Sequence, residues 1–113
     1  KNILIDIQVE ESLHSQKLDS ESKHQLFLIL KELVNNSLKH SGCNSLKIAF
    51  TSEKNQLQVM VADDGKGFKE TQAPSIRNGL NNIKQRVDNL HWTIIVNTSA
   101  GEGWQTIIRL PFA

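Results

Sequence analysis

Four side chains in one short stretch, Lys31 to Gly42 (KELVNNSLKHSG), are of the types that bind a metal–phosphate group: Glu32, Asn36, Lys39 and His40. Residues four apart on a helix are offset by only about 40° around its axis, so Glu32, Asn36 and His40 form one ridge with Lys39 beside it. Hard oxygen donors next to cations suit a divalent metal and the phosphates it bridges. Most polar helix faces are simply solvated. Against that plain reading, two adjacent asparagines are poor helix formers, and their amides would be idle in water. Asn35 lies about 100° around the helix from Asn36 and reads as a rim or capping amide.

Two further groupings have chemical content. In VADDGKGF an apolar strand ends in Asp63, with Gly65 and Gly67 just after it. A carboxylate at a pocket mouth accepts from an exocyclic amine of the kind adenine carries, whereas guanine would present a carbonyl and set acceptor against acceptor. Glycines beside it let a base approach the backbone closely. A strand running into a glycine turn with a solvated aspartate fits the same residues. In RNGLNNIKQR, Gly79 falls where a polar loop meets the last helix, and exposed amides at a helix start attract anions. A glycine there admits a phosphate close to the backbone, but a lone glycine before a helix is a weak signal, and Arg77, Lys84 and Arg86 read equally well as surface charges. The sequence contains neither GxxxxGK[ST] nor a complete dinucleotide fingerprint.

These residues need elements to hold them. ILIDIQVEE alternates Ile3, Ile5, Ile7 and Val9 with polar residues, which predicts a strand with one buried face. Asp19, Ser20 and Ser22 offer an N-cap to a helix whose apolar stripe is Phe27, Leu30, Val34 and Leu38, opposite the polar ridge, and Gly42 stops it. SLKIAFTS and QLQVMVADD alternate around EKN and read as a hairpin. Gly65 to Asn78 is a polar loop, longer than most connections in a compact domain. Leu80, Ile83, Val87 and Leu90 then mark a second helix, and WTIIVN and WQTIIRLPF two closing strands around TSAGEG. Strands that alternate, rather than run continuously apolar, favour a sheet with one open face: an α+β, two-layer sandwich of a mixed sheet with helices packed on the other face.

With 113 residues, 38% hydrophobic and 22% charged, the chain suits one domain, 1–113. A formal net charge of +1 with interspersed signs gives no field for tracking nucleic acid. No apolar run approaches the roughly 20 residues of a membrane-spanning helix, so no membrane contact is expected. Cys43 is the only cysteine, which excludes an internal disulfide and fits a reducing compartment. The start at Lys1 suggests a domain taken from a longer protein.

Taken in order, these motifs resemble the catalytic, ATP-binding domain of bacterial two-component sensor histidine kinases, within the gyrase, heat-shock chaperone, histidine kinase and mismatch-repair ATPase superfamily. KELVNNSLKHS resembles the N box, DDGKGF the G1 box, NGLNNIKQRVDNL the G2 box with its helix, and GEGWQTIIRLP the closing strand motif. ELVNNSLKHS and GLNNIKQR look most similar to kinases that partner LuxR-type response regulators. The resemblance implies the Bergerat ATP-binding fold and two cofactors, ATP and Mg²⁺. It implies that Asn36 coordinates Mg²⁺ and that Glu32 orients a metal-bound water or polarises the attacking group. Lys39 and His40 would approach phosphate oxygens, Asp63 would bind the adenine amine, Gly65 and Gly67 would line the base, and Gly79 and Leu80 would close over the phosphates. Two departures stand out: His91 and Trp92 where many relatives have a glycine pair, and Trp104 where the closing motif usually has threonine.

The partners so implied are a dimerisation domain of the same, homodimeric parent, which carries the phosphoacceptor histidine, and a response regulator. The setting is cytoplasmic, whether or not the parent is membrane-anchored. His14 and His24 lack the helical context of such an acceptor and read as surface histidines, so the fragment is expected to bind Mg-ATP without phosphorylating itself. An anti-sigma-factor serine kinase of the same fold is the nearest alternative. A degenerate, non-catalytic binding module is a second, suggested by Trp92 and Trp104.

Overall fold

In a computed structural model, which describes residues 2–40, 42–65, 74–98 and 103–113, with the side chains of 40, 74–77 and 98 left aside, the chain forms five strands and two helices. In chain order they are β1 (Leu4–Val9), a short 3-10 turn (Glu11–Ser15), α1 (Ser20–His40), β2 (Ser45–Glu53), β3 (Gln56–Asp63), α2 (Pro74–Asn89), β4 (Thr93–Thr98) and β5 (Trp104–Pro111). The sheet order is β1-β2-β3-β5-β4, with β1 parallel to β2 and the other pairs antiparallel. The expected mixed sheet with helices on one face is borne out.

Local chemistry explains the element ends. The Asp19 carboxylate accepts a 2.7 Å hydrogen bond from the Ser22 amide, capping α1 as its sequence predicts. That bond, with help from the Ser22 hydroxyl, holds the Asp19 carboxyl below its ordinary pKa. Between β2 and β3, Lys54 and Asn55 both take positive φ, 50° and 65°, the two-residue turn whose twist matches that of a hairpin. At the end of α2 the Trp92 amide bonds to the Val87 carbonyl (3.1 Å) and the His91 amide to that of Asp88 (3.0 Å), the paired bonds of a Schellman cap. His91, at φ 60°, fills the left-handed position that glycine occupies without strain.

The core lies between the helices and one sheet face: Leu26, Ile29 and Leu33 of α1, Ile83 and Val87 of α2, and Leu46, Leu57, Val59, Val61, Ile108 and Leu110 of the strands. Burying one such side chain contributes roughly 2 kcal/mol. The other face is wetter and is held by cross-strand side-chain pairs such as Arg109 Nε to Gln58 Oε1 at 2.8 Å.

Three expectations are corrected. First, α1 buries Leu26, Ile29, Leu33 and Ser37 rather than the stripe centred on Phe27 and Leu38, which are 62% and 41% exposed. Around the helix Asn36 is only about 20° from Ile29, so the polar ridge borders the core instead of opposing it. Second, β1 has no buried face: Ile5, Ile7 and Val9 are all exposed, because α1 packs over β3 and α2 over β4, leaving the edge strand uncovered. Third, Gly79 does not begin the second helix. Pro74, whose fixed φ and missing N–H suit a first helical turn, starts α2 five residues earlier.

Candidate functional site

The polar ridge of α1 meets α2 at Gly79. A Cβ on that glycine would lie 3.1 Å from Glu32 Oε1 and 3.9 Å from Asn36 Nδ2, so a single backbone position of α2 faces both side chains. The absence of a side chain is what makes room: glycine inside a helix is about 1 kcal/mol less favourable than alanine, and here the approach of Glu32 accounts for it. Gly79 therefore packs closely against the polar ridge and does not offer a helix-start amide.

Asn36 Nδ2 is buried and has no hydrogen-bond partner. A buried polar group left unpaired costs about 1–3 kcal/mol, which a chain selected only for folding would avoid. A half-turn of the amide exchanges oxygen for nitrogen at that spot, so Asn36 can present either a donor or a hard carbonyl oxygen. Beside it, Glu32 is exposed, and among the described residues its carboxylate makes no hydrogen bond or ion pair. Lys39 is also exposed and has no partner among the described residues, while His40 ends α1 with its side chain outside them. Along the α1–α2 seam runs a cleft of about 390 Å³, lined among others by Lys31, Glu32, Asn35, Gly79, Asn82 and Arg86. Asn35 sits at its wall, consistent with the rim role read from its angle.

Asp63 ends β3 on the helix side of the sheet. Ser37 of α1 donates from Oγ to Asp63 Oδ2 at 2.8 Å, and the Gly65 amide donates to Oδ1 at 2.9 Å. Each carboxylate oxygen has a second lone pair, so the group is oriented and still able to accept. Its neighbour Asp64 has a different task. Asp64 Oδ1 accepts from the amides of Asn44 (2.8 Å) and Ser45 (3.0 Å), fastening the start of β2 to the end of β3. These bonds, Ser45's first, hold its carboxyl below the ordinary value. Gly65 is buried, as a glycine lining a pocket would be, and Gly67 lies outside the described residues. Leu80 is buried with the apolar layer at 7% exposure.

The structure thus brings Glu32, Asn36 and Gly79 together, with Asp63 and Gly65 joined to the same helix through Ser37. A family model described as histidine kinase-, DNA gyrase B-, and HSP90-like ATPase matches residues 21–113. The chain belongs to this ATPase family. The match takes in every element of the site. Among curated relatives of this ATPase-family chain, the Bacillus subtilis signal transduction histidine-protein kinase/phosphatase DegS is 30% identical over 114 residues, covering 98% of this chain and 30% of DegS. Sensor histidine kinase LiaS of the same organism is 28% identical over 105 residues, 93% of this chain and 29% of LiaS. The chain spans about 30% of the length of these relatives. Among solved structures, the blue-light activated histidine kinase of Erythrobacter litoralis superposes with a TM-score of 0.79 at 22% identity over 98% of this chain and 36% of that one. The Acinetobacter baumannii histidine kinase AdeS gives 0.73 at 15% identity over 97% of this chain and 54% of its own. At these identities the likeness is one of fold.

Sequence reasoning missed Ser37. It is 6% exposed at a core position of α1, four residues after Leu33, and a polar side chain in a core stripe must find a partner. That partner is Asp63. Asn82 carries no signal in the sequence and Arg86 reads there as a surface charge: both are exposed, and only the crossing of α2 over α1 puts them on the cleft.

Proposed function

We propose that this chain is the catalytic domain of a sensor histidine kinase, which binds Mg-ATP and presents its γ-phosphate to a histidine on a separate dimerisation domain of the same parent. A response regulator, of LuxR type, would then receive the phosphoryl group. The single observation that carries this reading is the buried, unpartnered amide nitrogen of Asn36, which with Glu32 faces Gly79.

The donor set fits the implied cofactor. Among the described residues no group of three or more His, Cys, Asp or Glu could hold a metal. An asparagine oxygen is a hard donor of the kind Mg²⁺ takes, the ion keeping several waters with substrate phosphates as further ligands. When bound, that ion supplies neutralisation of phosphate charge. Asn36 would position it, and Glu32 would orient water or the incoming nucleophile. Lys39 and His40 would add cationic contacts to the phosphates, with Gly79 and Leu80 closing beside them. Asp63 would accept from the adenine amine, held in aim by Ser37 and the Gly65 amide, with Gly65 and Gly67 lining the base. Transfer to an imidazole needs position and charge neutralisation more than a strong base, since the nitrogen is already nucleophilic near neutral pH.

His14 and His24 are both exposed, His14 on the 3-10 turn and His24 in the first turns of α1, far along the helix from Asn36. The chain by itself is therefore expected to bind ATP without labelling itself. Incubation with γ-labelled ATP, alone and with an acceptor-bearing dimerisation domain supplied, tests this. Label on the acceptor domain alone is expected; label on the isolated chain would contradict the account. The serine-kinase alternative predicts label on a protein serine instead. Of the two tryptophans behind the binding-module reading, Trp92 is 9% exposed within the core and Trp104 is half-buried.

A further inference from the structure

Trp104 begins β5 directly opposite Asp63. Residues so opposed in an antiparallel pair share a face, with Cβ atoms about 4.5–5.5 Å apart. That face is the helix side, because Val61 and Val59 further back along β3, and Thr106 and Ile108 further on along β5, are all buried. The indole is thus the cross-strand neighbour of the carboxylate that the proposed function assigns to adenine.

Both groups are held in place. The indole Nε1 donates to Thr106 Oγ1 at 2.7 Å, and Thr106 is only 1% exposed, so the ring is tied to the core. The Asp63 oxygens are tied to Ser37 and to the Gly65 amide. Gly103, at φ 86°, brings the start of β5 so close that a Cβ there would collide with the Asp63 carbonyl oxygen. Only glycine permits that approach, and it sets the tryptophan against the aspartate. With its N–H engaged and its ring half-buried, the indole is a fixed, flat ring at the end of β5. A flat surface beside an oriented acceptor suits a purine: the carboxylate reads the exocyclic amine, and the ring stacks on any base alike.

We propose that Trp104 is an affinity-determining wall of the base site, stacking on the purine while Asp63 supplies the preference for adenine. This inference rests on the chain being a nucleotide-binding domain. The threonine hydroxyl usual at this place in the closing motif is thereby replaced by stacking area rather than merely lost.

The test is calorimetric titration of the whole chain with Mg-ATP and Mg-GTP, for the wild type, Trp104→Phe and Trp104→Leu, with circular dichroism as the check on folding. Intrinsic fluorescence is followed in parallel, where Trp92 in the core supplies a steady background. Nucleotide should perturb the emission of the wild type. Trp104→Leu, which keeps apolar volume but no ring, should weaken ATP and GTP alike by about tenfold, and Trp104→Phe by much less. Equal or tighter ATP binding in Trp104→Leu would overturn the proposal, as would a change in the ATP-to-GTP ratio as large as the change in affinity. A wild type that binds no nucleotide would instead sink the proposed function itself, whatever the variants do.

Discussion

The two halves of α1 obey different rules. Its N-terminal end is closed: Asp19 caps the Ser22 amide, and Leu26 and Ile29 are buried in the core. Its C-terminal half carries an orphaned amide on Asn36, a carboxylate on Glu32 with no partner among the described residues and, across from them, a helix-interior glycine. The orphaned amide and the helix-interior glycine are unfavourable for folding alone, whereas the exposed carboxylate is left to solvent. All three occur within one turn of each other, where the proposed ligand binds. A chain satisfies its polar groups where only the fold is at stake, and leaves them open where a ligand completes them.

That contrast can be broken by mutation, and the largest effect belongs to Asn36→Ala. It should lower Mg-ATP affinity by about 100-fold or more, the loss of one charge-assisted contact of roughly 3 kcal/mol, as read by calorimetry. Gly79→Ala comes next. It should raise stability to chemical denaturation by up to about 1 kcal/mol, through better helix propensity, while displacing Glu32 and weakening nucleotide binding by about tenfold. Such opposite signs would mark a site residue. Asp19→Ala, at the closed end, should do the reverse: a lower denaturant midpoint at unchanged slope, with nucleotide affinity untouched.

The smallest effect is one of pH. Asp19 and Asp64 are held below their ordinary value of 3.8 in the fold. A depressed folded-state pKa gives stability that is full above that value and is lost as pH falls through the lower folded one. Stability should therefore decline on acidification below about pH 4, and Asp64→Asn should flatten that limb without altering binding near neutral pH.

How much of this could be read from the sequence differs by region in the same way. The hairpin, the Asp19 cap and the mixed two-layer sandwich follow from alternation and capping chemistry, which are local. The face of α1 did not: Phe27, Leu30, Val34 and Leu38 and the true stripe Leu26, Ile29, Leu33 and Ser37 differ by one residue, and only the packing partners choose between them. The exposed Ile5, Ile7 and Val9 likewise obey the period of a half-buried strand, yet the edge position decides their exposure. In the candidate site, Asn36 stands out in the sequence as a poor helix former and Asp63 with Gly65 as a strand end. Glu32 does so only through its four-residue spacing from Asn36, whereas Gly79 reads as a helix start and lies inside α2 instead. Ser37 was not legible, because its function is to aim another side chain across a gap that sequence spacing does not encode.

On the proposed function, the Asn36 amide nitrogen is unpaired in the free protein because its partner is a ligand. The most direct test is equilibrium unfolding of the wild type and Asn36→Ala without nucleotide, repeated with saturating Mg-ATP. Removing a buried, unsatisfied amide should leave the free protein as stable or more so, by about 1 kcal/mol, and should abolish the stabilisation that Mg-ATP gives the wild type. A free Asn36→Ala protein less stable than the wild type, yet stabilised by Mg-ATP to the same degree, would contradict it.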